Sequence, residues 1–248
     1  MAGRLNGKIA IVTGAGSGMG RAIAEAFVGE GAQVVCADVS GQQDEVAARL
    51  GATAIRADVS QSADVQALIA TTEQRFGRVD VLVNNAGLGG PIGPLHEMED
   101  DDFDRLVAVN LRGVYLGMKY GVRAMLRTGG GAIVNIASAG GLVGHPGLAG
   151  YTATKGGVVQ LTRSGALDYA QQNIRINAVC PGLIWTAMVP GSDGSRTPPE
   201  GTPPPPGMPM GRWGLDTEIA AATVFLASDE VGFMSGVAMP VDGAFSAG

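Results

Sequence analysis

Histidine and cysteine are almost absent from this sequence, with two of each in 248 residues. Cys36 and Cys180 each lie inside an apolar run and have no company at metal-ligand spacing, so two buried thiols are expected rather than a disulfide, a nucleophile or a metal site. A basic surplus is lacking as well. Against 23 acidic residues stand 17 lysines and arginines, a net charge of −6, which argues against nucleic acid or an anionic membrane surface as partner. No apolar run approaches the roughly 18 residues of a membrane span, and Met1 to Gly7 carries no secretory apolar core. A soluble protein in a reducing compartment, the cytoplasm, is the expectation.

What the sequence has in quantity is apolar residues, 46%, and glycine, 40 residues. The glycines follow no collagen period and sit among apolar runs, which fits many tight turns and close backbone approaches. A chain of this length can bury one substantial core, so residues 1–248 are expected to form a single domain. Lys8 to Thr13 is a short, nearly unbroken apolar run, as expected of a parallel strand covered on both faces. It leads into Gly14-Ala15-Gly16-Ser17-Gly18-Met19-Gly20, then into a helical pattern from Arg21 to Val28, then into a second strand from Gln33 to Ala37 that ends at Asp38.

That β-α-β order has a chemistry. Glycines let a turn bring its backbone against a pyrophosphate, the helix start offers unpaired N–H groups, and a carboxylate after the second strand accepts from ribose hydroxyls. Dinucleotide binding is the expected role, in preference to a merely tight turn. Asp38 would hydrogen-bond a free 2′-hydroxyl and repel a 2′-phosphate, and no arginine stands at Ser17 or just after Asp38, so NAD is expected over NADP.

The alternation continues with a helix from Asp44 to Leu50, a strand from Thr53 to Ala57, a helix from Asp64 to Phe76 and a strand from Val79 to Val83. This last strand runs into Asn84-Asn85-Ala86-Gly87, where a ligand cradle and an ordinary strand-end turn fit equally. A long helical pattern from Asp100 to Arg127 contains Asn110. A fifth strand, Gly130 to Ser138, places Ser138 at its C-terminal edge, where open α/β sheets bind ligands. After a glycine-rich loop, Gly140 to Gly150, comes Tyr151-Thr152-Ala153-Thr154-Lys155. Tyrosine and lysine four apart share one helix face, and a nearby cation favours the phenolate, making the phenol usable as acid or base; alone, such a pair also fits an ordinary surface.

Arg175 to Cys180 reads as a sixth strand, stopped by Pro181-Gly182. Between Thr197 and Pro209 seven residues are proline, which excludes regular helix or strand. Inside a compact domain a loop over the site is preferred to a partner-recognition peptide, and the substrate segment is placed at about 187–212. Leu215 to Ala227 and Val237 to Val241 supply a last helix and strand. The fold class is therefore α/β: a Rossmann-type three-layer α/β/α sandwich with a doubly wound parallel sheet of about seven strands.

Thr13-Gly14-Ala15-Gly16-Ser17-Gly18-Met19-Gly20, Asn84 to Gly87, Asn110, Ser138, Tyr151 with Lys155, and Pro181-Gly182 stand in one order and register across the whole chain. Together they resemble the single-domain branch of the short-chain dehydrogenase/reductase family. The resemblance implies that Asn110, Ser138, Tyr151 and Lys155 are catalytic, with Asn110 kinking its helix around a water. It implies cofactor contacts from Gly14, Ser17, Gly18, Met19, Gly20, Asp38, Asp58, Val59, Asn85, Ala86, Gly87, Tyr151, Lys155, Pro181, Gly182, Ile184 and Thr186. A homotetramer built through the long helices and last strand is also implied, and the partner is a small-molecule alcohol or ketone.

A secondary alcohol gives up a hydride only if its hydroxyl proton also leaves. Tyr151 as phenolate can take that proton, Ser138 can bond the developing carbonyl, and Lys155 can bind ribose hydroxyls and lower the phenol's pKa. Pro146, Leu148, Met188 and the Pro-rich segment suggest a largely apolar pocket for cyclic, steroid-like or aliphatic substrates. A 3-oxoacyl thioester is the alternative, disfavoured because such family members commonly use NADP. A non-catalytic NAD(H) sensor or scaffold is the alternative from another class. Ala244 stands where the family's ending has glycine. Trp185 reads either as a pocket cap or as a packed indole, His145 either as a ligand contact or as a plain loop residue, and His96 has no assignment.

Overall fold

A computed structural model describes residues 3–189, 191–192 and 194–248. Met1 and Ala2, and two positions of the Pro-rich segment, Pro190 and Asp193, lie outside the described residues. Seven parallel strands form one sheet in the order β3-β2-β1-β4-β5-β6-β7. They are β1 (Ile9–Thr13), β2 (Gln33–Asp38), β3 (Thr53–Arg56), β4 (Val81–Asn84), β5 (Gly131–Ile136), β6 (Ile174–Pro181) and β7 (Ala238–Val241). The helices are α1 (Gly18–Gly29), α2 (Gln43–Leu50), α3 (Ser62–Phe76), α4 (Asp100–Leu106), α5 (Gly113–Thr128), α6 (Ala149–Tyr169) and α7 (Asp216–Ala227).

The period-2 alternation of the strands sorts their side chains into two cores. Ala10, Val12, Val34, Cys36, Val83 and Val179 face Ile23 and Phe27 of α1, Val46 of α2, and Ile219 and Val224 of α7. Ile11, Val35, Leu82, Ile133 and Ile176 face Leu68 of α3, Val114 and Val122 of α5, and Val158 of α6. Both faces being covered is why these strands read as continuous apolar runs. Both cysteines are fully buried and unpaired, and burial pushes each thiol up to about 11.

The long helical pattern from Asp100 to Arg127 is interrupted, and the break falls at Asn110, where the resemblance implied a kink. A π-helical turn, Val107–Arg112, separates α4 from α5 and holds Asn110 at its centre. The Pro-rich stretch has no regular structure, as its composition requires. It is tied down by Arg196, which pairs with Glu25 of α1 (2.6 Å) and Asp216 of α7 (3.2 Å). At the N-terminal edge of the sheet a small polar cavity holds Lys8, Arg78, Asp80, Arg175 and Asp229. Its charges serve the fold: Lys8 pairs with Asp229, Arg78 with Asp80, and Arg175 caps the carbonyls of Leu226, Ala227 and Ser228. The chemistry lies at the opposite edge.

Candidate active site

The sheet order reverses direction between β1 and β4, and ligands of open α/β sheets bind outside the strand ends at such a switch point. The sequence-expected residues converge there. The turn from Gly14 to Gly20 leaves β1 and enters α1. A Cβ at Gly20 would run into the Gly14 carbonyl, so only glycine lets the turn close on itself. Thr13 is the stitch behind it, and the sequence reading gave it no role of its own. Its Oγ donates to the Val83 carbonyl (3.2 Å) and accepts from the backbone N–H of Asn85 (3.0 Å) and Ala86 (3.2 Å).

Asn85 was expected to line a cofactor. Its side-chain amide donates to the carbonyls of Thr13 (2.8 Å) and Gly14 (3.3 Å), locking β4 to the glycine turn. Ala86 and Gly87 follow as small residues; the Cβ position of Gly87 lies 3.5 Å from Lys155 Nζ. Asp38 accepts from the N–H of Gly16 (3.0 Å) and Ser40 (2.9 Å), so its carboxylate is held at the edge of the turn. Asp58 accepts from the N–H and hydroxyl of Ser60, and Val59 packs on Gly113. Met19 packs against the core beneath the turn.

One cation near Asp38 was not visible in the sequence. Arg56 pairs in register with Asp38 across β2 and β3, and its Nε donates to the Val39 carbonyl (3.2 Å). The residues just after Asp38 hold no arginine, whereas the neighbouring strand delivers one. A basic residue at the end of the third strand was the available signal.

Asn110 is fully buried. Its Oδ1 accepts from Leu88 N–H (2.7 Å), while its Nδ2 donates to the Leu88 carbonyl (2.9 Å) and to Thr154 Oγ (3.4 Å). The π turn thus aims an amide at the segment after β4, and π turns recur at functional sites for such reasons. Ser138, two residues beyond β5, sets its hydroxyl near the phenol of Tyr151, and its Oγ accepts from Gly140 N–H (3.1 Å). Lys155 is 4% exposed; its Nζ donates to the Ile136 carbonyl (2.9 Å) and lies 5.8 Å from the centre of the Tyr151 ring.

The electrostatics differ from the expectation that Lys155 lowers the phenol. In the protein alone, burial pushes the Tyr151 phenol above its ordinary value, and the Ser138 hydroxyl is the influence that opposes it. Lys155 itself is lowered to about 8 by burial. Desolvation dominates because both groups leave water.

Pro181 ends β6, and Gly182 N–H donates to the Val241 carbonyl (3.1 Å) with no room for a Cβ against Asp242. Ile184 bridges to Gly214, and the Thr186 methyl lies 3.5 Å from the Cβ position of Gly18, which brings the segment after β6 to the glycine turn. Trp185 is a packed indole, 6% exposed, edge-on to Trp213 and donating to Ser195. His145 stacks on Phe245, and His96 lies on the exposed stretch before α4.

A family profile described as enoyl-(acyl carrier protein) reductase matches residues 14–246. The chain belongs to the short-chain dehydrogenase/reductase family. It is an oxidoreductase of that family. Among curated relatives, 2-(R)-hydroxypropyl-CoM dehydrogenase of Xanthobacter autotrophicus is 43% identical over 250 residues, 97% of this chain and 99% of the other. Levodione reductase of Leifsonia aquatica is 40% identical, covering 98% of this chain and 96% of its own. The crystal structure of a 3-ketoacyl-(acyl-carrier-protein) reductase from Brucella melitensis, complexed with NADH, superposes with a TM-score of 0.90 at 38% identity over 98% of this chain and 99% of that one. Within this short-chain dehydrogenase/reductase, the glycine turn, the small residues after β4 and the carboxylate of Asp38 fit a nicotinamide dinucleotide, because each leaves backbone or a charge open at the strand ends.

Proposed function

We propose that the enzyme interconverts a small secondary alcohol and a ketone, using NAD(H), with Tyr151 as acid and base. The observation that carries this reading is the Tyr151 phenol set beside the Ser138 hydroxyl, with the buried Lys155 Nζ 5.8 Å from the centre of its ring. When bound, the nicotinamide supplies or accepts the hydride. For reduction, the neutral Tyr151 phenol donates its proton to the carbonyl oxygen while Ser138 hydrogen-bonds that oxygen as charge develops. For oxidation the same groups run in reverse, and a higher pH favours the phenolate. Lys155 holds the ribose, and the Ser138 hydroxyl opposes the rise that burial imposes on the phenol; Asn110 fixes the backbone of Leu88 and the start of α6. Asp38 receives the adenosine ribose hydroxyls, which is the argument for NAD over NADP.

The substrate we infer is uncharged and largely apolar or cyclic. The segments 85–95 and 139–150 contain no lysine or arginine, and segment 183–212 contains only Arg196 and Arg212. Both are committed, Arg196 to Glu25 and Asp216 and Arg212 to Glu218 (2.7 Å). An acidic acyl carrier needs a free basic patch, which weighs against the 3-oxoacyl thioester despite the similarity to a ketoacyl reductase. The test is a panel of neutral ketones and alcohols against 3-oxoacyl thioesters, followed by NADH absorbance with both cofactors. Turnover confined to the thioesters would refute the substrate reading, and NADH binding with no turnover anywhere would favour a sensor.

Residues 1–248 act in this proposal as one domain with 187–212 as its substrate segment. Four copies assemble through the long helices and β7; Val107 and Leu111 of the π turn, Tyr115 of α5 and Leu161 of α6 make an open apolar face. Light scattering then reads about 100 kDa, four times the 25.1 kDa chain, and a 25.1 kDa species at micromolar concentration would contradict it.

A further inference from the structure

We propose that the C-terminal turn, Asp242 to Ser246, is a wall of the substrate site, where Phe245 and His145 form an aromatic arch that selects cyclic over open-chain ketones. The inference rests on the dehydrogenase reading above and adds a specificity device to it. Sheet order supplies the first observation. His145 belongs to the loop that leaves β5 and leads to Tyr151, Phe245 belongs to the turn that leaves β7, and β6 lies between those strands. Their rings stack at 5.9 Å with 25° between planes. A contact between loops rising from β5 and β7 must pass over the end of β6, where Pro181 and Gly182 lie.

Both feet of the arch are built. Asp242, 8% exposed, accepts from Ala244 N–H (3.1 Å), Ser246 N–H (3.0 Å) and the Ser246 hydroxyl (2.6 Å). These bonds hold Ala244 in the left-handed region, φ +71°, a conformation that is unfavourable for a residue with a Cβ. Strained backbone of this kind persists where surrounding contacts over-determine it, and it clusters at ligand sites. On the other foot, His145 Nδ1 lies 3.0 Å from the Pro146 carbonyl, which can only accept, so Nδ1 carries the proton; Leu148 N–H returns to the His145 carbonyl (3.2 Å). Gly147 in turn accepts from Gly93 N–H (3.0 Å). Beside the turn opens a cavity of about 300 Å³ lined by Gly182, Ile184, Met208, Met210, Val241 and Gly243. Neither ring lines that cavity; the stacked rings over the end of β6 themselves suit a flat or puckered ring better than a short flexible chain.

The experiment compares cyclohexanone with 2-butanone on the wild type, Phe245→Ala and Phe245→Leu, with NADH affinity by fluorescence and thermal unfolding as controls. The expected result is a fall of about tenfold or more in the cyclohexanone-to-butanone ratio of kcat/KM, carried by the KM for cyclohexanone, with NADH affinity kept. Phe245→Tyr, which keeps the ring, restores the preference; if Phe245→Ala does not fold, Phe245→Leu is read in its place. A ratio unchanged within about twofold in a folded variant overturns the inference and leaves the dehydrogenase reading standing. A wild type that turns over neither ketone overturns that reading and this inference with it.

Discussion

Asp38 and Arg56 meet at one corner of the site with opposite consequences. The carboxylate repels a 2′-phosphate, while the guanidinium, one strand away and bonded to the Val39 carbonyl, would attract it. Asp38→Ala should therefore lower the NAD-to-NADP ratio of kcat/KM by about tenfold or more, by the loss of a charged hydrogen bond. Adding Arg56→Ala should cancel the gain in NADP; an unchanged ratio in the single variant would remove Asp38 from cofactor choice. Lys155 gives a second test through pH. Burial lowers its pKa from 10.5 to about 8 in the folded protein. Between those two values the unfolded chain binds the proton and the folded chain does not, so this group makes stability rise with pH across that window. Below pH 8 the burial cost is constant. The two buried thiols, raised to about 11, act with the opposite sign above pH 9 and are common to both proteins, so the difference in urea midpoint between wild type and Lys155→Met should rise from pH 8 to 10; the same slope in both proteins would contradict the assignment. Tyr151, Ser138, Lys155 and Asp38 were legible because fixed spacing or a strand edge announces them. Arg56 and Thr13 were not, because strand pairing and backbone bonding bring them to the site.

At the scale of elements, the sheet was readable because two covered faces leave each strand a short apolar run between glycine turns. The interruption of the long helix was legible only through the family resemblance, which implied a kink at Asn110: Val107 to Arg112 has ordinary helical composition, and the π turn is joined to Leu88 by Asn110. Strand ends also shifted by a residue or two: Val79 and Asp80 precede β4, although the Asp80 backbone still bonds Ile9 (2.9 Å) and Ala132 (2.9 Å) and its carboxylate accepts from Ile9 N–H (2.8 Å). The turn after β7 carries the plainest energetic prediction. Ala244 sits at φ +71°, where glycine is free of the Cβ penalty. Ala244→Gly should stabilise the protein by about 1 kcal/mol in urea unfolding, and a loss of stability would mean that the Ala244 methyl makes packing contacts worth more than the strain.

Across the whole molecule, one end of the sheet is closed by paired charges and the other is open backbone. Lys8, Arg78 and Arg175 are each engaged at the N-terminal edge, while the C-terminal edge gathers Gly14 to Gly20, Asp38, Gly87, Ser138, Tyr151 and Thr186 from five loops. No helix among the described residues is long and apolar enough to cross a membrane. The central claim is that this gathered site moves a proton through Tyr151 in step with a hydride. Single-turnover reduction of a neutral ketone by NADH, with Tyr151→Phe compared to wild type and NADH affinity measured in parallel, tests it most directly. The account predicts a loss of about 100-fold or more in the variant, the scale of a general acid, with NADH binding retained; near-normal turnover by Tyr151→Phe would contradict it.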